Sequence, residues 1–222
     1  MDPALDISLL RQLPASFFDR DPREVAPALL GTLLVSTAGG TVTGGRIVET
    51  EAYLGSDDPG SHAATKGITR RNAVMYGPPG TVYVYFTYGN HHMVNLVCGP
   101  EGEAGAVLIR ALEPLVGITE MADRRNGRAL HELASGPGKL AEALGIDLED
   151  NGTLLGEGRL IVYDEVTPHG EIAVSGRVGL SAGHELHLRY YLSGCPFVSR
   201  GRIGVSPRAV RHKRTAEERT PS

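Results

Sequence analysis

Arg46-Ile-Val-Glu-Thr-Glu-Ala-Tyr53, followed by Gly80-Thr-Val-Tyr-Val-Tyr-Phe-Thr-Tyr-Gly-Asn-His-His-Met-Val-Asn95, decides how this chain is read. The first part is β-prone and apolar, yet it holds Glu49 and Glu51. Strand alternation puts Ile47, Glu49, Glu51 and Tyr53 on one face and Val48, Thr50 and Ala52 on the other. Carboxylates on such a face are costly unless they are exposed, paired or functional. The second part predicts a hairpin, Val82 to Tyr88 and His92 to Cys98, with Gly89-Asn90 at its tip. A two-residue turn would pair Tyr88 with His91. A three-residue loop, Gly89 to His91, would pair Tyr88 with His92 and Tyr85 with Asn95. The second register is expected if Tyr85 and Asn95 share a pocket.

Working upstream, Asp21-Pro22 starts a helix, with Asp as N-cap and Pro in the first turn, running to about Leu30 and stopping at Gly31. It buries Val25, Leu29 and Leu30. Strands Thr32 to Thr37 and Thr41 to Tyr53 follow, joined by Gly39-Gly40. Between the two decisive parts, Gly55 to Pro79 shows little periodicity, apart from a short helix around Asn72 to Met75. Loops of this length inside a compact domain are usually functional or disordered. Downstream come a strand, Ala106 to Arg110, leading into Ala-Leu-Glu-Pro114, and a helix from about Gly117 to Asn126. A weaker helix lies near Leu130. Ser135-Gly-Pro-Gly-Lys139 reads as the capped start of a helix that ends at Gly145. Strands Arg159 to Asp164, Ala173 to Val178 and Leu186 to Leu192 complete the pattern. Residues 1–15 read as a loose lead-in and 211–222 as a charged, frayed tail.

The 222 residues suffice for one substantial core, and no Pro/Gly/Ser-rich tract divides them, so a single domain over 1–222 is expected. A formal net charge of −4 does not advertise a nucleic-acid binder. Distribution matters more than the sum. Between Leu186 and Ala216 there are seven Arg or Lys and no acid: Arg189, Arg200, Arg202, Arg208, Arg211, Lys213 and Arg214. Lys66, Arg70 and Arg71 form a second basic group. One basic face on an acidic molecule is one reading; charges spread over a solvated surface is the other. Cys98 and Cys195 form no CxxC or Cys/His cluster and read as buried, reduced thiols of a cytosolic protein. No apolar run approaches the ~18 residues of a transmembrane helix, and no signal-peptide core stands at the N-terminus.

Glu51 is the primary chemical candidate. A carboxylate in a semi-enclosed apolar site can activate water as a general base. Glu49 on the same face raises a two-carboxylate, glycosidase-like arrangement. Against both stands a solvated strand edge, or pairing with Arg46 or Arg110. Tyr53, Tyr83, Tyr85, Tyr88 and His62 supply aromatic surface. Strand tyrosines usually pack, but several near one carboxylate suit a flat or cationic ligand. His91-His92 with His62 fits no metal motif. Ser135-Gly-Pro-Gly-Lys139 offers a helix start for phosphate or for ordinary capping, without the full phosphate-loop pattern.

Arg-Ile-Val-Glu-Thr-Glu-Ala-Tyr-Leu-Gly, Pro-Gly-Thr-Val-Tyr-Val-Tyr, Leu-Ile-Arg-Ala-Leu-Glu-Pro and Ser-Gly-Pro-Gly-Lys-Leu, in this order, resemble the alkyladenine (3-methyladenine, methylpurine) DNA glycosylases. The likeness runs from about Leu29 to Phe197. It implies a mixed α+β domain with a curved, open-barrel-like antiparallel sheet, flanking helices and a protruding hairpin. It implies a base-excision repair enzyme, monomeric and without cofactor or metal, acting on duplex DNA with alkylated or deaminated purines. By position, Glu51 corresponds to the general base and Arg110 to the arginine that helps hold the water. Tyr53, His62 and Tyr85 correspond to the pocket around the flipped base, and Asn95 to the pocket wall that rejects normal purines. Tyr88 corresponds to the hairpin-tip wedge. Arg70, Arg71, Lys139, Arg200 and Arg202 are the candidate phosphate contacts. The loop from Gly60 to Asn72 and the tip Gly-Asn-His-His depart from the family pattern. A cytoplasmic or nucleoid-associated protein is expected. Two other classes stay open: a non-catalytic binder of damaged DNA, and a small-molecule nucleoside hydrolase using Glu49 and Glu51.

Overall fold

The structure, a computed structural model, describes residues 6–61, 63, 68–87, 91–165, 170–180, 183, 185–200 and 208–210. It is a mixed α/β fold around an open antiparallel sheet. The spine is a pair of twelve-residue strands, β2 (Thr43–Leu54) and β5 (Gly105–Val116), hydrogen-bonded along their length. β5 runs through Pro114 and is one strand, longer than the Ala106 to Arg110 segment the sequence predicts.

The hairpin β3 (Val82–Thr87) and β4 (His91–Val97) extends the sheet beyond β5. On the other side β2 is shared. Its first residues pair with β1 (Thr32–Ser36), and Glu49 to Glu51 pair with β8 (Arg189–Leu192). β6 (Leu160–Glu165) continues from β1, while β7 (Ile172–Ser175) and β9 (Arg208–Val210) continue from β8. All these pairings are antiparallel.

The helices close the core. α1 (Ala15–Phe18) and α2 (Pro22–Ala28) precede β1. The Asp21 side chain caps α2 by accepting from the Arg23 N–H at 2.8 Å, as an Asp-Pro start requires. Val25, Leu29 and Leu30 are buried as expected. α3 (Ile118–Arg124) is entered through Gly117, whose φ of 65° a side-chain-bearing residue would resist. α4 (Pro137–Leu144) ends at Gly145 in the same left-handed region. Its N-cap is Gly136 with no side-chain bond, so Ser135 does not cap it; the Ser135 hydroxyl instead meets Lys139 Nζ at 3.5 Å.

The segment read as a loose lead-in is tied to β6 at Arg11 to Leu13. Leu13 is buried, its N–H donates to Val162 O, and Gln12 bridges Tyr163. The tail beyond Val210 lies outside the described residues.

The hairpin register differs from the expected one. Tyr83 pairs with Asn95, Tyr85 with Met93 and Thr87 with His91. His91, expected in the loop, is therefore a strand residue, and its partner is Thr87 where the expected last pair joined Tyr88 to His92. The slip amounts to two positions, so side-chain parity is kept: Tyr83, Tyr85 and Asn95 still share a face.

Candidate active site

β2 departs from simple alternation where chemistry was expected. The β2–β5 register shifts between Ile47 and Glu49 and again between Glu49 and Thr50. Such irregularities re-aim side chains. Ile47 and Val48, neighbours in sequence, both join the apolar core, so Ile47 does not keep company with the carboxylates. Glu49 and Glu51 both converge on Arg110, which rises from β5 where the second shift falls.

Glu51 is fully buried. Its Oε1 accepts from the Val178 N–H at 2.7 Å and its Oε2 from the Tyr53 hydroxyl at 2.9 Å. Arg110 Nη1 stands 3.2 Å from Oε2. Neither the solvated strand edge nor an Arg46 partner describes it, because Arg46 is paired with Glu113. Burial raises the Tyr53 hydroxyl well above its ordinary pKa, and the Glu51 carboxylate raises it further, so Tyr53 stays a protonated donor.

Glu49 is fully buried too, and its oxygens are occupied. Oε1 accepts from Arg110 Nε at 2.8 Å, Arg189 Nε at 2.7 Å and Ser199 Oγ at 2.9 Å. Oε2 accepts from the Ser199 N–H at 2.7 Å. Burial alone would push this carboxyl up, but Arg110, Arg189 and Ser199 together hold it below the usual range. Burial likewise works against the charge on Arg110, yet Glu51 and Glu49 hold its guanidinium firmly protonated. Arg189, counted above among a possible basic face, is 1% exposed and stacks on Tyr191 with its guanidinium carbon 4.5 Å from the ring centre. It is a counter-ion of the buried cluster and belongs to no surface.

The aromatic face is built by β2 and the hairpin. Tyr83 and Tyr85 rings lie 5.4 Å apart. Asn95 is buried, and its Nδ2 donates to Tyr83 O at 3.1 Å. Arg71 is exposed overall, yet it sits 4.9 Å over the Tyr85 ring, donates to Phe86 O at 3.2 Å and hydrogen-bonds the Tyr83 side chain. Arg70 and Arg200 are exposed and Lys139 half-buried. His91 lies against Gly138 at the start of α4, whereas His92 stacks on Phe86 at 5.0 Å. The pocket candidate His62, the wedge candidate Tyr88 and Arg202 lie outside the described residues.

Three residues at this site went unremarked in the sequence. Arg177 lies over the Tyr53 ring at 4.7 Å, Asp58 binds Arg177 through both oxygens at 2.6 Å, and Ser199 closes over Glu49. An arginine inside the predicted strand Ala173 to Val178 was a readable signal for the first. Asp58-Pro59-Gly60 looks like an ordinary turn.

The site thus presents a buried carboxylate, Glu51, gripped by Arg110 and Tyr53. The methylpurine-DNA glycosylase family model matches residues 16–196. The chain belongs to that family. It is thus a DNA glycosylase, a hydrolase of the N-glycosidic bond. A relative from Koribacter versatilis is 46% identical over 202 residues, covering 89% of this chain and 97% of its own length. One from Methanoculleus marisnigri is 50% identical over 192 residues, covering 85% and 98%. One from Chlorobaculum parvum is 46% identical over 207 residues, covering 92% and 98%. All three carry the name "Putative 3-methyladenine DNA glycosylase". No helix among the described residues is long and apolar enough to cross a membrane.

Proposed function

We propose that this chain releases alkylated purines from duplex DNA with a water molecule activated by Glu51, leaving the strand intact. The observation that carries this reading is the state of Glu51: buried, gripped on Oε2 by Tyr53 and Arg110, with a single described donor on Oε1. A carboxylate oxygen has room for more than one donor, so Oε1 can also accept a water. Burial strengthens that interaction.

The base of a duplex nucleotide is beyond reach while stacked, so the nucleotide rotates out. Tyr88 fills the gap as minor-groove wedges do. The extruded purine lies among Tyr53, His62 and Tyr85, with Asn95 in the wall. Arg70, Arg71, Lys139, Arg200 and Arg202 hold phosphates. The water oxygen bonds to the anomeric carbon as the glycosidic bond breaks. Its proton passes to Glu51, and the purine leaves with the bonding electrons. A ring-alkylated purine is cationic before cleavage and departs neutral, so it needs no acid. That chemistry agrees with the names of the relatives. Neutral deaminated purines are the harder substrates because they need a proton. No lysine lies in the catalytic stretch, so no Schiff base forms and the strand is not nicked. The enzyme works as a monomer near DNA, in cytoplasm or nucleoid.

Use of Glu49 as a second catalytic carboxylate is disfavoured. Both of its oxygens are committed to Arg110, Arg189 and Ser199. The test is a set of duplexes, each with one lesion, assayed for free base and strand length, beside the matching free nucleosides. Free alkylpurine from duplex, with strands that break only under alkali, is expected. Strand cleavage without alkali, or equal turnover of nucleosides, would overturn the proposal.

A further inference from the structure

Val178, whose N–H holds Glu51 Oε1, directly follows Arg177, the residue stacked on Tyr53. Arg177 is held through both of its terminal nitrogens, while its buried Nε has no partner among the described residues. It makes the two-oxygen bond with Asp58, donates to Ala52 O at 3.0 Å and donates to Gly183 O at 3.2 Å. Arg177 and Asp58 are 3% and 1% exposed. Asp58 also takes the Leu54 N–H at 3.0 Å and the Gly60 N–H at 2.9 Å. Gly60 leaves room for this approach: a Cβ there would stand 2.6 Å from the Arg177 guanidinium.

We propose that Asp58 and Arg177 form a positioning pair for the reaction, fixing the Val178 N–H on Glu51 and the Tyr53 ring from outside the reacting atoms. Three segments meet in this pair: the end of β2, the turn after it, and the segment after β7. Ala52, bonded by Arg177, lies between Glu51 and Tyr53 in β2, so the pair also holds the backbone that carries both. A bidentate carboxylate–guanidinium bond restricts angle as well as distance, and a lysine could not reproduce it. Small displacements of a catalytic group cost rate steeply; about 1 Å can cost roughly a hundredfold. The groups facing Glu51 are the Arg110 guanidinium from β5, the neutral Tyr53 hydroxyl from its own strand and the Arg177 guanidinium from beyond β7. Only the last is coupled by adjacency to a backbone donor on Oε1.

The inference rests on Glu51 as the base, and its test separates the two. Asp58→Asn keeps the shape of the side chain and removes its charge; Arg177→Gln removes the fork. Base release is measured in a single turnover at enzyme excess, and affinity is measured on a duplex carrying an abasic analogue, which places no base against Tyr53. Each variant is expected to lose at least roughly tenfold in release rate while abasic-duplex affinity stays within about threefold of wild type, and the double variant is expected to be no slower than the slower single one. Wild-type release rates in both variants would overturn the pairing role. So would rate and affinity falling in parallel, or failure of both variants to fold, since either outcome makes the pair purely structural. Glu51→Gln measured alongside identifies the source of failure. If that variant releases base normally, the base assignment is wrong; if it is inactive while Asp58→Asn and Arg177→Gln are normal, only the positioning pair is wrong.

Discussion

Replacing Glu49 by Gln keeps the side-chain shape and removes the charge that two buried guanidiniums share. Arg110 retains Glu51 as a counter-ion. Arg189 retains the Ser175 hydroxyl at 3.1 Å but no carboxylate among the described residues. Breaking a buried ion pair from one side leaves an uncompensated charge and costs about 3–5 kcal/mol. For a chain of this length each kcal/mol lowers the melting temperature by about 2–4 °C, so a fall of roughly 6–20 °C is expected at neutral pH. Such a loss is a large share of the about 5–15 kcal/mol that holds a typical domain.

The pH dependence carries a sign. The folded pKa of Glu49 lies below its ordinary 4.5, so its contribution is complete above that value and is lost as pH falls through the folded pKa. The gap between wild type and Glu49→Gln should therefore narrow on acidification below about pH 4.5. The assay is thermal unfolding of both proteins from neutral pH down to the acid limit of reversibility, extended to Arg189→Met and the double variant. The double variant should be less destabilised than the two singles summed, by about 0.5–3 kcal/mol. A melting temperature within about 2 °C of wild type, or strict additivity, would show that Glu49 is not the keystone of this charge cluster.

Three further outcomes follow from the site. Tyr53→Phe deletes the 2.9 Å bond to Glu51; hydrogen bonds to charged groups are worth about 1.5–3 kcal/mol, so single-turnover release should slow by roughly tenfold or more with duplex affinity unchanged. Arg71→Ala should reduce the slope of log affinity against log salt by about one if Arg71 meets a phosphate; an unchanged slope would confine it to its Tyr83, Tyr85 and Phe86 contacts. Asn95→Ala opens the wall beside Tyr83, and release of normal purines from undamaged duplex should rise relative to alkylpurine release; an unaltered ratio would remove Asn95 from selection.

Much of the spine was legible because burial on β2 enforces parity. Glu51 and Tyr53 fall together as alternation requires, and the start of α2 follows from Asp21-Pro22, although the helix ends at Ala28, short of Gly31. The bulged register around Val48 was not legible, since no Gly or Pro marks it and only pairing with β5 creates it. Hairpin register differs by two because Gly89-Asn90 in the sequence does not fix which residues flank the loop, while parity, which the core enforces, is kept. Arg189 and Arg177 illustrate a deeper limit. In sequence an arginine reads as surface charge, and only the fold shows that Glu49 and Asp58 await them inside. Long-range partners of buried charges leave no local periodic trace.

The most direct measurement is single-turnover base release by Glu51→Gln on an alkylpurine duplex, paired with its affinity for the same duplex. The account predicts tight binding with free base falling to the uncatalysed background. Release at the wild-type rate by a folded, DNA-binding Glu51→Gln enzyme would contradict it.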